Sequence, residues 1–178
     1  MNRFIYRVIN RESIETMRWY YWLILVVLIW YVLYYYTSPR KIAILQTSLP
    51  EFTFDILLHR QPIVLSEQIS DIQTLKDAWF SSNKVDIYQQ SVRETDDWKK
   101  NKYKYLLLQP VEATEVILYP ANKSMTAEKV PPENEKLLAI KCKPNQVIIL
   151  PFRWHFYIPK EQSYIWMGVH DWITRFLP

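Results

Sequence analysis

Apolar residues follow three patterns along the chain. Between Trp19 and Tyr36 they form the unbroken run WYYWLILVVLIWYVLYYY, which contains no charged residue, proline or glycine. Such a run is about as long as a helix must be to cross a hydrocarbon core of about 30 Å. Further along, short apolar runs of strand length are closed by proline or polar residues, and one segment after Ser70 has apolar residues at helical spacing. The pattern predicts one long apolar helix followed by a mainly β domain.

The long apolar run is predicted to be a single transmembrane helix over residues 19–37. Its tryptophans and tyrosines crowd both ends while aliphatic residues fill the middle, as expected where aromatic rings lie at head-group depth. The residues predicted to anchor it are Trp19, Trp22, Leu25, Val27, Ile29, Trp30 and Tyr34.

Residues 1–18 are predicted to form a basic amphipathic segment. Three of its arginines are spaced four residues apart and share a helix face, which suits an anionic lipid surface. The side chains expected at lipid head groups are Arg3, Arg7, Arg11 and Arg18. Their excess over the basic residues just after the apolar run favours a cytoplasmic N-terminus.

Residues 38–50 are predicted to be a linker and residues 51–178 a mainly β domain. Strand-like runs occur at 63–65, 104–110, 115–120, 136–144 and 147–152. One helix is predicted to start with a capping box from Ser70 to Gln73. The charged stretch VRETDDWKKNKYK, residues 92–104, is predicted to be a surface loop or strand connection. Several short strands with one early helix favour a β-sandwich or barrel.

Composition excludes several kinds of site. The chain has one glycine, so a glycine-rich loop that cradles phosphate cannot be built. Its one cysteine, Cys142, excludes an intramolecular disulfide and a cysteine-based zinc site, and it is predicted to be a small apolar filler. The 22 basic and 18 acidic residues give a net charge of +4, too small an excess to predict a nucleic-acid partner.

The segment KCKPNQVIILPFRWHFYI, residues 141–158, carries a family likeness. It resembles the second conserved block of the cupin-like, JmjC-related jelly rolls, and the positions that match are Pro144, Val147, Pro151, Trp154 and His155. RQPIVLSEQISDIQTLKDAWF, residues 60–80, is similar to that family's entry strand and helix, and EVILYP, residues 115–120, to a strand ending in an aromatic residue and proline. The resemblance implies a cupin-like jelly roll with one or two helices.

The same resemblance implies an iron held by two histidines and one carboxylate, with His155 as the second histidine. The His-x-Asp or His-x-Glu pair that would supply the other ligands is missing, since His59 lies in the entry strand and His170 directly precedes Asp171. No metal, no cofactor and no catalytic residue is therefore predicted. His155 is expected to be a structural residue, inside or beside the barrel, with its ring nitrogens bonded to backbone or water. The paired carboxylates Asp96–Asp97 and Glu133/Glu135 are expected to be solvated.

These features predict a non-catalytic, membrane-anchored structural protein. The combination of anchor and shortened jelly roll resembles virion membrane proteins of large DNA viruses, which implies a minor virion protein tying an inner membrane to the capsid shell. Its partners would be membrane lipid and capsid or other membrane proteins. The residues expected to contact partners are Trp166, His170, Trp172, Arg175 and Phe176. Alternatively, the tryptophans among them lie at alternating strand positions and face the core of the domain.

Two alternatives stay open at this point. One is an accessory subunit of a cellular membrane complex, and the other is a membrane-bound, iron-dependent oxygenase that would use His155. A sequon at Asn122 provides a topology test, because a glycan there would place the β domain in a lumen.

Overall fold

The computed structural model describes residues 18–34, 37, 42–120, 123, 125–126, 128–133 and 135–176. The chain divides into two compact units, Met1–Thr37 and Ser38–Pro178. Arg3, Arg7 and Arg11 of the predicted basic segment, and the sequon at Asn122, lie outside the described residues.

In the first unit, residues 18–34 form helix α1. Most of its apolar side chains are exposed; Trp19, for example, is 76% exposed and Trp30 67%. Within the described residues no helix is both long and apolar enough to span a membrane, so the spanning helix predicted over 19–37 is not found there.

The described residues of the second unit form ten strands and two short helices. The strands are β1 (Leu45–Thr47), β2 (Ile63–Gln68), β3 (Lys84–Val92), β4 (Lys99–Lys100), β5 (Tyr105–Pro110), β6 (Thr114–Tyr119), β7 (Leu138–Cys142), β8 (Gln146–Pro151), β9 (His155–Tyr157) and β10 (Ser163–His170). The helices are α2 (Phe54–Leu58) and α3 (Ile72–Trp79), and a 3-10 turn follows at Thr174–Phe176. The predicted mainly β fold with few helices is confirmed.

The strands form two sheets, ordered β1-β2-β8-β5-β10-β3 and β4-β9-β6-β7. When the eight strands after α3 are numbered one to eight, they are ordered 1-8-3-6 in one sheet and 2-7-4-5 in the other. The last strand thus returns beside the first, the seventh beside the second and the sixth beside the third, so the chain wraps round the sandwich as a jelly roll. The β-sandwich is confirmed, and its connectivity is that of the predicted jelly roll.

The six-stranded sheet has a hydrophobic cluster on each face. The helix-side cluster, under α2 and α3, contains Leu57, Ile63, Leu65, Ile69, Ile72, Leu75, Phe80, Tyr105, Leu107, Val147, Ile149, Met167 and Val169. The inter-sheet cluster contains Val64, Tyr103, Leu106, Leu108, Val116, Leu118, Ile140, Cys142, Ile148, Leu150, Trp154, Phe156, Ile158 and Tyr164. Strands buried on both faces explain the continuous apolar sequences of β5 and β8.

Three local predictions need correction. Helix α3 is capped by Asp71, whose side chain accepts a hydrogen bond from the Gln73 N–H, and not by Ser70. The range predicted as a linker contains β1, which pairs in parallel with β2. The stretch predicted as a charged loop contains β4, which pairs with β9 and leads into the interior.

Candidate functional site

The segment from Lys99 to Tyr103 closes one end of the sandwich. In β4, Lys99 pairs with Phe156, which faces the inter-sheet core, whereas Lys100 pairs with His155 on the outer face of the sheet. Because neighbouring residues of a strand point to opposite faces, Lys99 is directed towards the interior. A two-residue strand thereby brings an ammonium group to the edge of an apolar core.

Asn101 fixes this segment in place. Its side-chain Nδ2 donates to the carbonyl oxygens of Leu150, at 2.9 Å, and Pro151, at 2.8 Å, while its Oδ1 accepts from the Tyr103 N–H at 2.9 Å. The residue is only 1% exposed. A buried amide with these bonds holds the turn between β4 and β5 against the end of β8, which positions both flanking lysines.

A pocket of about 250 Å³ opens at this end of the sandwich. It combines three lysines with three aromatic rings, and none of the residues that line it is acidic. The described residues lining it are Lys99, Lys100, Asn101, Lys102, Tyr103, Leu106, Phe156 and Trp166. Lys99 Nζ lies 5.5 Å from the centre of the Trp166 ring, and Lys102 Nζ lies 5.3 Å from that of Tyr103.

One residue that lines the pocket, Trp166, has an indole N–H without a hydrogen-bond partner among the described residues. Its Nε1 is buried. An indole N–H is a donor only, and a buried donor without an acceptor costs about 1–3 kcal/mol. An acceptor brought close to Trp166 would satisfy this donor.

Beyond Trp166, the ring of Tyr103 lies directly on Gly168 of β10. A Cβ atom at Gly168 would lie 2.5 Å from Cδ1 of Tyr103. The ring centre is 6.4 Å from that of Trp166 and 5.2 Å from that of His170, the residues on the same face of β10 on either side of Gly168. Tyr103 thus fills a slot with Gly168 as its floor.

His170 forms the far wall of this slot. It is 6% exposed, and its Nδ1 has no hydrogen-bond partner among the described residues. Burial lowers the pKa of its imidazole, more than the nearby carboxylates of Asp86 and Asp171 raise it. At neutral pH the slot therefore ends in a neutral ring with an unused nitrogen.

A β-bulge lies opposite the slot. Ile87 pairs with Gly168 and Val85 pairs with Val169, so Asp86 is the extra residue in β3. Burial, and secondarily the Asp86 carboxylate, raise the pKa of the Tyr103 phenol. Bulges bend a strand and re-aim a side chain, and this one brings a carboxylate within electrostatic range of both rings.

His155 lies elsewhere, on the outer face of the four-stranded sheet. It pairs with Lys100 on one side and with Tyr119 on the other. Burial, followed by the charges of Lys100 and Arg153, lowers its pKa to about 4. Its Nδ1 has no hydrogen-bond partner among the described residues. That its ring nitrogens bond to backbone or water stays a prediction.

Metal binding has no support in the part of the chain that is described, because it contains no group of three or more His, Cys, Asp or Glu side chains placed to hold an ion. Cys142 is buried in the inter-sheet cluster, and burial raises the pKa of its thiol to about 11. A thiol with that pKa is protonated at neutral pH, which suits the predicted filler role.

The five residues predicted to contact partners differ in exposure. Trp166 and His170 flank the slot, whereas Trp172 and Phe176 are 72% and 82% exposed and Arg175 lies in the 3-10 turn between them. The residues that sequence reasoning missed are Lys99, Lys102, Tyr103 and Gly168. One signal was present in the sequence: a single glycine in 178 residues, inside an aromatic strand, marks a close approach by another group.

The paired carboxylates Asp96 and Asp97 are structural. Asp97 accepts from the buried guanidinium of Arg93, with Nη2 to Oδ1 at 2.9 Å, and Asp96 accepts from the Tyr157 hydroxyl at 3.1 Å. These bonds hold the chain between β3 and β4 against β9 and the turn that follows it. They set the path by which β4 reaches the pocket.

No family model and no curated protein matches the chain. Two solved structures show a distant likeness. One is the dTDP-4-dehydrorhamnose 3,5-epimerase of Bacillus anthracis, with 10% identity, 62% of this chain and 70% of that chain covered, and a TM-score of 0.32. The other is RmlC of Streptococcus suis, with 9% identity, 57% and 54% covered, and a TM-score of 0.31.

The first of these proteins is by its name an enzyme. Neither comparison supports the prediction of a non-catalytic structural protein tying a membrane to a capsid, and that prediction is not maintained. Likeness at this level carries no information about the substrate of this chain, so the function must be argued from the pocket itself.

Proposed function

We propose that the β unit binds a small anionic molecule in the pocket at the end of the sandwich. The observation that carries this proposal is the lining itself. The ammonium groups of Lys99 and Lys102 lie over the rings of Trp166 and Tyr103, the indole N–H of Trp166 has no partner among the described residues, and no described lining residue is acidic. An anion satisfies the cations and supplies an acceptor to the indole, whereas a cationic ligand meets repulsion.

The arrangement also favours a particular orientation of the ligand. Lys102 is exposed at the mouth, while Phe156 and Leu106 lie almost fully buried behind it. The charged group of the ligand would lie among the ammonium groups and its apolar part against the rings. A volume of about 250 Å³ is below the range of roughly 300–1,000 Å³ that is usual for drug-sized ligands, which favours a smaller molecule.

The test is a set of probes that differ in charge and share a ring. Phenyl phosphate, benzyl alcohol and benzylamine would be titrated into the full chain by calorimetry. We expect phenyl phosphate to bind best, benzyl alcohol weakly and benzylamine not at all, with binding that weakens as salt is added. Equal affinity for phenyl phosphate and benzyl alcohol, or no binding of phenyl phosphate, would refute the proposal.

Lysine variants make the test specific to the pocket. Lys99→Met and Lys102→Met should each weaken phenyl phosphate binding about two- to fivefold, the range of an exposed ion pair. Lys141→Met is the matched control, because Lys141 is exposed on β7 and does not line the pocket. A loss of the same size in the control would show that only net charge matters.

The finer family likeness is a proposal of the same kind. We propose that the jelly roll is cupin-like, which is supported by the block from Pro144 to His155 together with the strand order of the two sheets.

A further inference from the structure

We infer that Tyr103 is the gate of this pocket and that the ligand is an aromatic anion, whose flat ring replaces the Tyr103 ring on Gly168, between Trp166 and His170. The inference rests on the proposed function and deepens it by naming the ligand class. It is argued from Gly168, His170 and the position of the Tyr103 ring, which the anion proposal does not use.

Gly168 is the first step. It is the only glycine in the chain, and no described glycine has a positive φ, so backbone freedom does not require it. What its position requires is space, because the ring of Tyr103 occupies the volume that any side chain would take. The strand thus provides a bare stretch of backbone with room for one flat ring.

The walls of the slot are the second step. Trp166 contributes a buried donor and His170 a buried imidazole nitrogen, and neither atom has a partner among the described residues while Tyr103 lies between them. If the Tyr103 ring never left this position, these two buried polar atoms would lower the stability of the fold and form no hydrogen bond in exchange. A ring with polar substituents can satisfy both of them.

The position of Tyr103 is the third step. It lies in the bend between β4 and β5, outside both strands, and its N–H is held by Asn101 through the backbone alone. Rotation about the side-chain bonds can therefore move the ring while Lys102 and Asn101 stay in place. The ring leaves towards the cavity mouth, where Lys102 already lies against it.

The ligand class follows from the same atoms. The anionic end lies among the lysines, where one of its oxygens can accept from Trp166 Nε1, and a flat ring enters the slot. The neutral imidazole of His170 can accept or donate, so a hydroxyl or amide substituent suits it. Aromatic carboxylates and aryl phosphates with a polar ring substituent meet these requirements.

The decisive experiment compares Tyr103→Leu and Tyr103→Ala with the wild-type chain, using phenyl phosphate, cyclohexyl phosphate and inorganic phosphate as probes. If Tyr103 is a gate, removing its ring removes a competitor. With the closed form about 90% populated, phenyl phosphate should then bind about tenfold more tightly. Inorganic phosphate should bind equally in all variants, and Tyr103→Phe should behave as wild type because it keeps the ring. Tyr103→Leu is the reserve if the alanine variant does not fold.

If Tyr103 is instead a fixed wall, its removal deletes a contact with the ligand, and phenyl phosphate binds more weakly to both variants. That result overturns the gate while leaving anion binding in place. If no anionic probe binds the wild type or the variants, the proposed function and the gate both fail. A preference for cyclohexyl over phenyl phosphate overturns the flat-ring ligand class.

The single glycine allows a direct structural readout. Protein labelled with ¹³C-glycine gives one glycine signal, that of Gly168, because the chain has one glycine. In the free protein, the Tyr103 ring protons should show a nuclear Overhauser effect to the Gly168 α-protons. On addition of phenyl phosphate, this effect should be replaced by one from the ligand ring. If the effect between Tyr103 and Gly168 persists at saturating phenyl phosphate, Tyr103 is not a gate.

Discussion

The two faces of strand β10 use the same backbone for different purposes. On the helix side, Met167 and Val169 are fully buried in an apolar cluster. On the inter-sheet side, Trp166, Gly168 and His170 provide an unpaired donor, a missing side chain and an unpaired imidazole nitrogen. The first face is an ordinary apolar core surface. The second contains two buried polar atoms without partners and one position without a side chain, all within five residues.

The contrast teaches where to look for function in a chain without a recognisable motif. A strand that only supports the fold has no reason to bury polar atoms without partners. Because Met167 and Val169 secure β10 in the helix-side cluster, its other face can carry polar atoms whose hydrogen bonds form only with a ligand. The comparison therefore predicts that substitution of Met167 changes stability alone, whereas substitutions on the other face change binding.

The largest effect should come from the helix-side face. Met167→Ala removes a side chain with 0% exposure and should lower the free energy of unfolding by about 2–5 kcal/mol. Val92→Ala, in β3 and 59% exposed, is the control and should change it by no more than about 0.5 kcal/mol. Chemical denaturation measures both, and phenyl phosphate affinity should be unchanged. A binding loss in folded Met167→Ala protein would break the separation of the two faces.

Gly168→Ala should lower both the stability of the fold and the binding of phenyl phosphate. The new Cβ would lie 2.5 Å from the Tyr103 ring, and relieving this overlap should cost about 1–3 kcal/mol of stability. Phenyl phosphate binding should also be lost, because the slot is blocked for both rings.

A double-mutant cycle identifies the cause. In a Tyr103→Ala background the ring is absent, so the added Gly168→Ala should cost much less stability than it does in wild type. Full additivity of the two losses in thermal or denaturant unfolding would show that the strain lies in the backbone and not in the contact with Tyr103.

A smaller effect is expected at Trp166. Trp166→Phe keeps an aromatic ring but removes the indole N–H, so affinity for phenyl phosphate should fall about two- to tenfold, the worth of one hydrogen bond. Stability should not fall by a similar amount, since the N–H has no partner to lose. In ¹⁵N-tryptophan-labelled protein, the indole signal absent from the variant should be the one that shifts on ligand addition. If another of the indole signals shifts instead, the assigned donor is wrong.

Sequence reasoning reached the scaffold more readily than the site. The apolar runs that became β5 and β8 could be identified because strands buried on both faces are continuously apolar. Strand β4 has two lysines and no apolar residue, so its two-residue pairing with β9 left no periodic signal. The slot joins Tyr103 to Gly168, 65 positions along the chain, and only the fold brings such residues together. His155 could be singled out by family likeness, but its outward orientation depends on the pairing of β9 with β4 and β6.

At neutral pH the smallest effect should come from His155, which belongs to neither face of β10. Its pKa of about 4 in the folded chain lies below the ordinary value of 6.5, so between these values the unfolded chain takes up a proton that the folded chain refuses. The free energy of unfolding should therefore fall as pH is lowered from about 6.5 to about 4, and level off below. His155→Gln should flatten part of this slope, while the matched variant His59→Gln, at an exposed helix end, keeps it. Denaturant titrations across this range measure the slope, and equal slopes in wild type and His155→Gln would show that His155 is not buried as a neutral ring. Phenyl phosphate affinity at neutral pH should be the same in both, because the side chain lies on the outer face of the four-stranded sheet, away from the pocket that β10 helps to line.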